Sequence, residues 1–355
     1  MMVLLICAVI GYIIVDHNDA WYDTTIVEVT DIQTKHTETQ PGVSIGKENY
    51  YVQSITSCVI NGERAGEIVS LYNQYTDSGV RDERYRVGDK LFVLLGEKGE
   101  TAKILQLKRD TLVYLMAVLL LLGMVAVAGK TGILAAISLV FNIGLLTLAL
   151  YLYQNGWNIL PLTVGLIFLF TTLSLLIANG WNRCSFLSIL SALFAISVTA
   201  VIFLIVRACT PTLQYDLLEF GVVPDDLASL FLCEVMVGGL GAIMDVSISL
   251  ISTADELLAH NPNIGYPQLR KSVRAVSDDI MGTMVNVLFF TYICGGLPEI
   301  LLMFRNHLTV SLIWDYVLTF EMVRFLIGSI GLVLAIPASQ FVLRIWMKRQ
   351  EAAHG

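Results

Sequence analysis

The chain has 355 residues, 55% of them hydrophobic and only 15% charged, with net charge -8 and mean hydropathy +0.70. That balance excludes an ordinary soluble domain and points to an α-helical polytopic membrane protein whose first partner is the lipid bilayer. No basic block marks a nucleic-acid partner or a polybasic lipid-binding tail. The six cysteines show no CxxC or His/Cys ligand spacing, so no structural metal is expected.

A spanning helix needs about 20 mostly apolar residues. Eight stretches qualify, at roughly 2–15, 112–129, 131–153, 159–178, 184–206, 228–252, 280–304 and 322–346. The first lacks a basic n-region and reads as an uncleaved anchor, residues 1–15; removal after Ala20 is the competing expectation. Residues 16–110 are different material. "TTIVEVTDI", "YYVQSITSCVI", "GEIVSLYNQY" and "DKLFVLLGE" are short runs rich in Val, Ile, Tyr and Thr, separated by turn residues. They predict a small antiparallel β-domain between spans 1 and 2, an OB-like or lipoyl-like barrel. "LQLKRD" then leads straight into span 2, and residues 111–355 form a seven-span membrane domain.

"NGWN" occurs at 155–158 and again at 179–182, flanking span 4. Asn-Gly supplies a turn and Trp anchors at the headgroup level. With the N-terminus inside, the short inner loops and tail contain Lys130, Arg183, Arg270, Lys271, Arg274, Arg344, Lys348 and Arg349. The outer flanks contain only Arg207, Arg305 and Arg324. The positive-inside bias therefore places both termini inside a bacterial cytoplasmic membrane and the β-domain outside. Cys58 and Cys209 would share the outer compartment, where a disulfide between them stays open.

Span 6 carries an acidic stripe. With Glu234 as zero and a step of about 100° per residue, Gly238 falls at about 40°, Gly241 at about 340°, Asp245 at about 20°, Ser249 at about 60° and Ser252 at about 0°. Glu234 and Asp245 stand about 16 Å apart along the axis. Span 7 has a matching pattern, with Asp279, Thr283, Asn286 and Phe290 in one sector bordered by Gly282. Further on, "CGGLPEI" is expected to break the helix at Gly295, Gly296 and Pro298.

Each position has a plainer account. Gly238 and Gly241 permit close helix packing, and Asn286 serves as interhelical glue. Glu234 sits at the solvated outer boundary, and Asp278 and Asp279 fill the first turn of span 7, favoured by the helix dipole. Asp245 resists such an account. An ionised carboxylate in hydrocarbon costs several kcal/mol unless it is paired, wetted or protonated. No Lys or Arg lies at its depth, so the expected partner is a proton, a cation or an amide such as Asn286. The inner loop 260–279 reads as a short amphipathic helix, "PQLRKSVRAV", lying on the inner surface.

"GKTGILAAISLVFNI" at 129–143, "GGLGAIMDVSISLISTADEL" at 238–257 and "DDIMGTMVNVLFFTYICGGLP" at 278–298 resemble the YibE/F-like family of bacterial multi-spanning membrane proteins. The resemblance covers essentially the whole chain. It implies a shared membrane fold and makes Gly241, Asp245, Asp279, Gly282, Thr283 and Asn286 the core positions.

Three functions compete. The first is a permease with a cation or proton site built from Asp245, Asn286, Glu234, Asp279, Thr283 and Ser249, since intramembrane carboxylates mark ion and proton paths. It implies no covalent cofactor. The second is a non-catalytic assembly partner, a homo-oligomer or one whose β-domain docks another envelope protein. The third, an intramembrane aspartyl protease, would pair Asp245 with Asp279. "GAIMD" lacks the Gly-x-Gly-Asp arrangement of such enzymes, and the five histidines fall in predicted loops or tails.

Overall fold

The computed structural model describes residues 2–41, 47–77, 82–96, 102–209, 227–262 and 264–354. The chain divides into two compact units, 1–132 and 133–355.

The first unit opens with helix α1 (Met2–Asp16) and a single 3-10 turn at Asn18–Trp21. Five strands follow: β1 (Thr25–Pro41), β2 (Lys47–Val59), β3 (Ile68–Thr76), β4 (Lys90–Leu94) and β5 (Lys103–Leu107). They form an antiparallel sheet in the order β3-β2-β1-β4-β5. β1 lies at the centre because its first half pairs with both β2 and β4. Its register shifts between Val29 and Asp31 and again between His36 and Glu38. Such bulges bend a strand. The bent sheet brings its two edge strands together through a parallel bridge from Leu71 to Ala102. Val27, Val29, Ile55, Val59, Leu71, Leu91 and Val93 fill the inside. β5 was hidden in the sequence because "KILQL" abuts the charged "KRD" and reads as a lead into the next helix. His36 lies within β1, not in a loop.

Two buried amides lock this domain. Asn61 accepts from Ile26 N at 2.6 Å and donates to the carbonyls of Asp19, Tyr22 and Thr24. Gln53 exchanges both its amide bonds with the backbone of Tyr85, at 3.0 and 3.1 Å. A charged cluster then ties the domain to the helices. Lys108 Nζ, almost wholly buried, meets Asp19 at 3.0 Å, Asn18 Oδ1 at 2.7 Å and Asp110 at 3.5 Å. Lys90 Nζ reaches Asp19 at 2.7 Å, and Tyr22 donates to Asp110. Tyr114 donates to the Ala8 carbonyl across Gly11, where any Cβ would collide with the phenol.

The long helix α2 (Asp110–Gln154) is interrupted at Gly129, with φ 58° and ψ -123°. Only glycine reaches that region freely. In a straight helix residues 124 and 132 would stand about 12 Å apart. Here Gly132 folds back onto the Met124 carbonyl so closely that a Cβ could not fit.

The second unit holds α3 (Ile159–Asn179), α4 (Arg183–Cys209), α5 (Leu227–His260), α6 (Tyr266–Arg305), the short α7 (Val310–Ile313) and α8 (Thr319–His354). One wide π turn, Trp314–Leu318, joins α7 to α8. Among the described residues six helices are long and apolar enough to cross a membrane, counting α2 once and α7 to α8 as one. The two NGWN copies are one device used twice. Gly156 and Gly180 take positive φ, Trp157 and Trp181 are exposed, and Asn158 and Asn182 cap the next helix by accepting from Leu160 N and Ser185 N.

α4, α5 and α8 pack closely because their shared faces are small. Ser191 of α4 meets Ser339 of α8 at 2.7 Å and Ser247 of α5 at 3.5 Å. Gly239 faces Gly328 across the α5–α8 contact. A Cβ on Gly331 would lie 2.7 Å from Ile243 Cδ1 and 3.0 Å from Thr199 Oγ1.

Two expectations change, and one open pairing is decided. The stretch 266–277 is not a separate surface helix; it is the first third of α6, with Leu269, Val273 and Ser277 buried. Asp278 and Asp279 therefore lie in mid-helix, beyond reach of a helix-terminal dipole. Asp278 is paired with Arg274 at 3.1 Å. α6 also runs unbroken through Pro298 to Arg305. Helical backbone tolerates proline in a bundle when neighbouring groups re-satisfy the freed carbonyl. Cys58 and Cys209 are both free thiols.

Burial raises the Asp19 carboxyl, but Lys90 and Lys108 outweigh it and hold the group below the usual carboxylate range. A depressed pKa gives stability that is present above the unfolded value of about 4 and is lost as pH falls through the folded value. Lys108→Met should therefore destabilise the first unit by about 3 kcal/mol at neutral pH, as expected for a broken buried pair. Thermal unfolding of the detergent-purified chain should show that deficit shrinking below about pH 4.

Candidate functional site

α5 packs against α3, α4, α6 and α8, which leaves it little free surface. Between Leu227 and Ile251 only Glu234, Gly238, Gly241 and Asp245 are exposed. These are the stripe positions at Glu234 and 4, 7 and 11 residues beyond it, opposite the buried Ile243, Val246 and Leu250. The stripe ends at Ser249 and Ser252, both half-buried, with Ser252 Oγ 3.4 Å from Cys184 Sγ on α4. Asp245 makes no hydrogen bond or ion pair with any described residue.

The Glu234 end of the stripe holds a charge cluster. Arg324, in the second turn of α8, is 9% exposed. Its Nη2 meets Glu234 at 2.9 Å and its Nη1 meets Glu321 at 2.5 Å. The guanidinium also stands over the Phe231 ring, 5.3 Å from its centroid. Arg324 Nε is buried with no partner, and so is Tyr292 Oη on α6. The Tyr292 ring lies where Gly238 and Gly328 leave room for it. Gly296 performs the same service one turn on, since its Cβ would press on Val317 and Glu321 at 3.1 and 3.2 Å. The π turn before α8 supplies Val317 at that contact. Gly241, Gly282 and Gly295, by contrast, face open space.

The polar sector of α6 lies elsewhere. Leu288 and Tyr292 point into the bundle, and Asp279 is nine residues from Leu288, which is half a turn round the helix. Asp279, Thr283 and Asn286 are all exposed on that far side. Thr283 donates to the Ile280 carbonyl and Asn286 to the Gly282 carbonyl, so both are engaged within their own helix. The structure thus groups Glu234, Gly238, Gly241 and Asp245 on one face and Asp279, Thr283 and Asn286 on another. It does not bring Asn286 to Asp245, nor Asp245 to Asp279.

Arg324, Glu321 and Tyr292 are the residues sequence reasoning did not assign to the site. The spacing "EMVR" was a visible i,i+3 pair, but nothing in the pattern says that α8 presents it to Glu234. Among the described residues no three His, Cys, Asp or Glu side chains form a group able to hold a metal ion.

The family model for YibE/F-like proteins matches residues 116–349, and that for the YibE/F family N-terminal domain matches residues 20–107. The chain belongs to the YibE/F-like family. Its two matched regions correspond to the helical part and to the β-domain, with their junction at the Lys108–Asp110 cluster. A search of curated proteins and a search of solved structures each return no match.

Removing Arg324 leaves two carboxylates without their shared cation. Arg324→Met should lower stability by about 3 kcal/mol, whereas Arg324→Lys, which keeps the charge but not the fork, should lose less. Thermal midpoints of the purified variants give the comparison; equal midpoints for Met and wild type would show the triad to be structurally idle.

Proposed function

We propose that this YibE/F-like protein is a membrane permease whose cation or proton path follows the open face of α5. The observation that carries the proposal is the unpartnered Asp245, lying on the same exposed stripe as Glu234 and two glycines. A carboxylate facing hydrocarbon would bear a large solvation penalty, so a polar path along this stripe accounts for its position. Between the two acids Gly241 faces open space, and over Gly238 the stripe carries the unpartnered Tyr292 hydroxyl. At the outer end Arg324 competes with an incoming cation for Glu234, so entry requires the Arg324–Glu234 contact to yield. Asp245, without a counter-charge, is the deeper acceptor.

The topology that goes with this proposal has eight spans, with α2 supplying two of them across Gly129. Both termini lie inside the bacterial cytoplasmic membrane and the β-domain, an OB-like or lipoyl-like barrel, stands outside. Lys and Arg in the short loops support that orientation.

One observation favours a second reading. α6 also turns a polar sector, Asp279, Thr283 and Asn286, away from its own bundle. Two such faces suit an assembly in which a second copy or an envelope protein covers them. A protease draws no support from the geometry, because Asp245 and Asp279 belong to different faces.

Solid-supported-membrane recordings on proteoliposomes, with pH jumps and monovalent-cation jumps, separate these readings. Wild type should give a transient current that Asp245→Asn abolishes, since Asn is near-isosteric and removes only charge and proton exchange. Absence of current from folded wild type under both jumps would overturn the permease and favour assembly.

A further inference from the structure

α4 bears a ridge flanked by two apolar grooves. Phe186 and Leu190 line both. The larger groove, 620 Å³, runs between α3 and α4 and is walled by Phe168, Leu176 and Leu193. The smaller, 230 Å³, runs between α4 and α8 against Phe341, Ile345 and Trp346. Arg183, the first residue of α4, stands in the wall of one groove, and Arg349 of α8 in the wall of the other. The Arg183 guanidinium lies 5.7 Å from the Trp346 ring centroid, so the two mouths adjoin. Arg183 is paired with Asp255 at 3.2 Å; Arg349 is exposed and makes no ion pair among the described residues. Trp181, 92% exposed, marks the same level.

The dimensions select an occupant. From Arg183 to Leu193 is ten residues, about 15 Å along the helix. That is half of a hydrocarbon core of about 30 Å, the depth of a single leaflet. Two thin apolar limbs joined at an anionic head match two adjoining apolar grooves with an arginine in the wall of each. We propose that the Phe186–Leu190 ridge seats one anionic diacyl phospholipid of the adjoining leaflet, one chain in each groove and its phosphate between Arg183 and Arg349. The aromatic walls take the chains, and Arg349, without an ion pair among the described residues, gives the preference for negative charge.

Native mass spectrometry of the full chain, released from detergent with phosphatidylglycerol or phosphatidylcholine of matched chains, tests the assignment. Wild type should retain phosphatidylglycerol preferentially. Arg349→Ala, which breaks no ion pair among the described residues, should weaken phosphatidylglycerol about fivefold and leave phosphatidylcholine unchanged. Leu190→Trp, which fills the grooves from the ridge, should weaken both lipids, with an unaltered thermal midpoint as the folding control. Equal retention of the two lipids by wild type, an Arg349→Ala variant that keeps the preference, or a folded Leu190→Trp variant that binds as wild type would each overturn it.

Discussion

The membrane part of this protein depends on how closely α4, α5 and α8 approach one another. Helices in lipid gain nothing from hiding apolar surface, because the surrounding chains are equally apolar; dispersion contacts and interhelical hydrogen bonds must hold them. Gly239 against Gly328, Gly331 against Ile243 and Thr199, and the Ser191–Ser247–Ser339 contact remove the side-chain bulk that would keep the backbones apart. This contact fixes the rotation of α5 about its axis. Once Ile243, Val246 and Leu250 are committed to the interior, helical geometry leaves Glu234, Gly238, Gly241 and Asp245 outside.

The same packing explains the charge cluster. α8 carries Glu321 and Arg324 one turn apart, and the wide turn before it sets them against α5 and Gly296 of α6. A single guanidinium serves two carboxylates, while its Nε and the nearby Tyr292 hydroxyl lack partners. Buried donors without acceptors are costly and uncommon in finished structures. Their coincidence at the end of the acidic stripe is what separates this cluster from a routine surface ion pair.

In the first unit the ordering force is different. Its sheet has an ordinary apolar inside, but its attachment to α1 and α2 is polar: Lys108 buried among Asp19, Asn18 and Asp110, with Asn61 stitching the preceding turn to β1. Such a joint tolerates only one relative placement of the groups within it, since each buried charge must keep its counter-charge.

Much was legible without coordinates. The apolar lengths, the β-rich character of 16–110, the NGWN turns and the angular grouping of Glu234, Gly238, Gly241 and Asp245 follow from residue type and period alone, because these are local properties of a helix or strand. β5 was missed because its strand is short and runs into charge. The stretch 266–277 is not legible in this way, because an amphipathic segment looks the same on a membrane surface and on a helix bundle; only contact of Leu269 and Val273 with the core distinguishes them. Likewise the sequence determined that two acidic faces exist, on α5 and on α6. Only tertiary packing decided that they point away from each other's partners, and that Arg324, 90 residues from Glu234, is its counter-ion. Periodicity fixes which residues share a face of one helix, but the rotation of that helix is set by its neighbours.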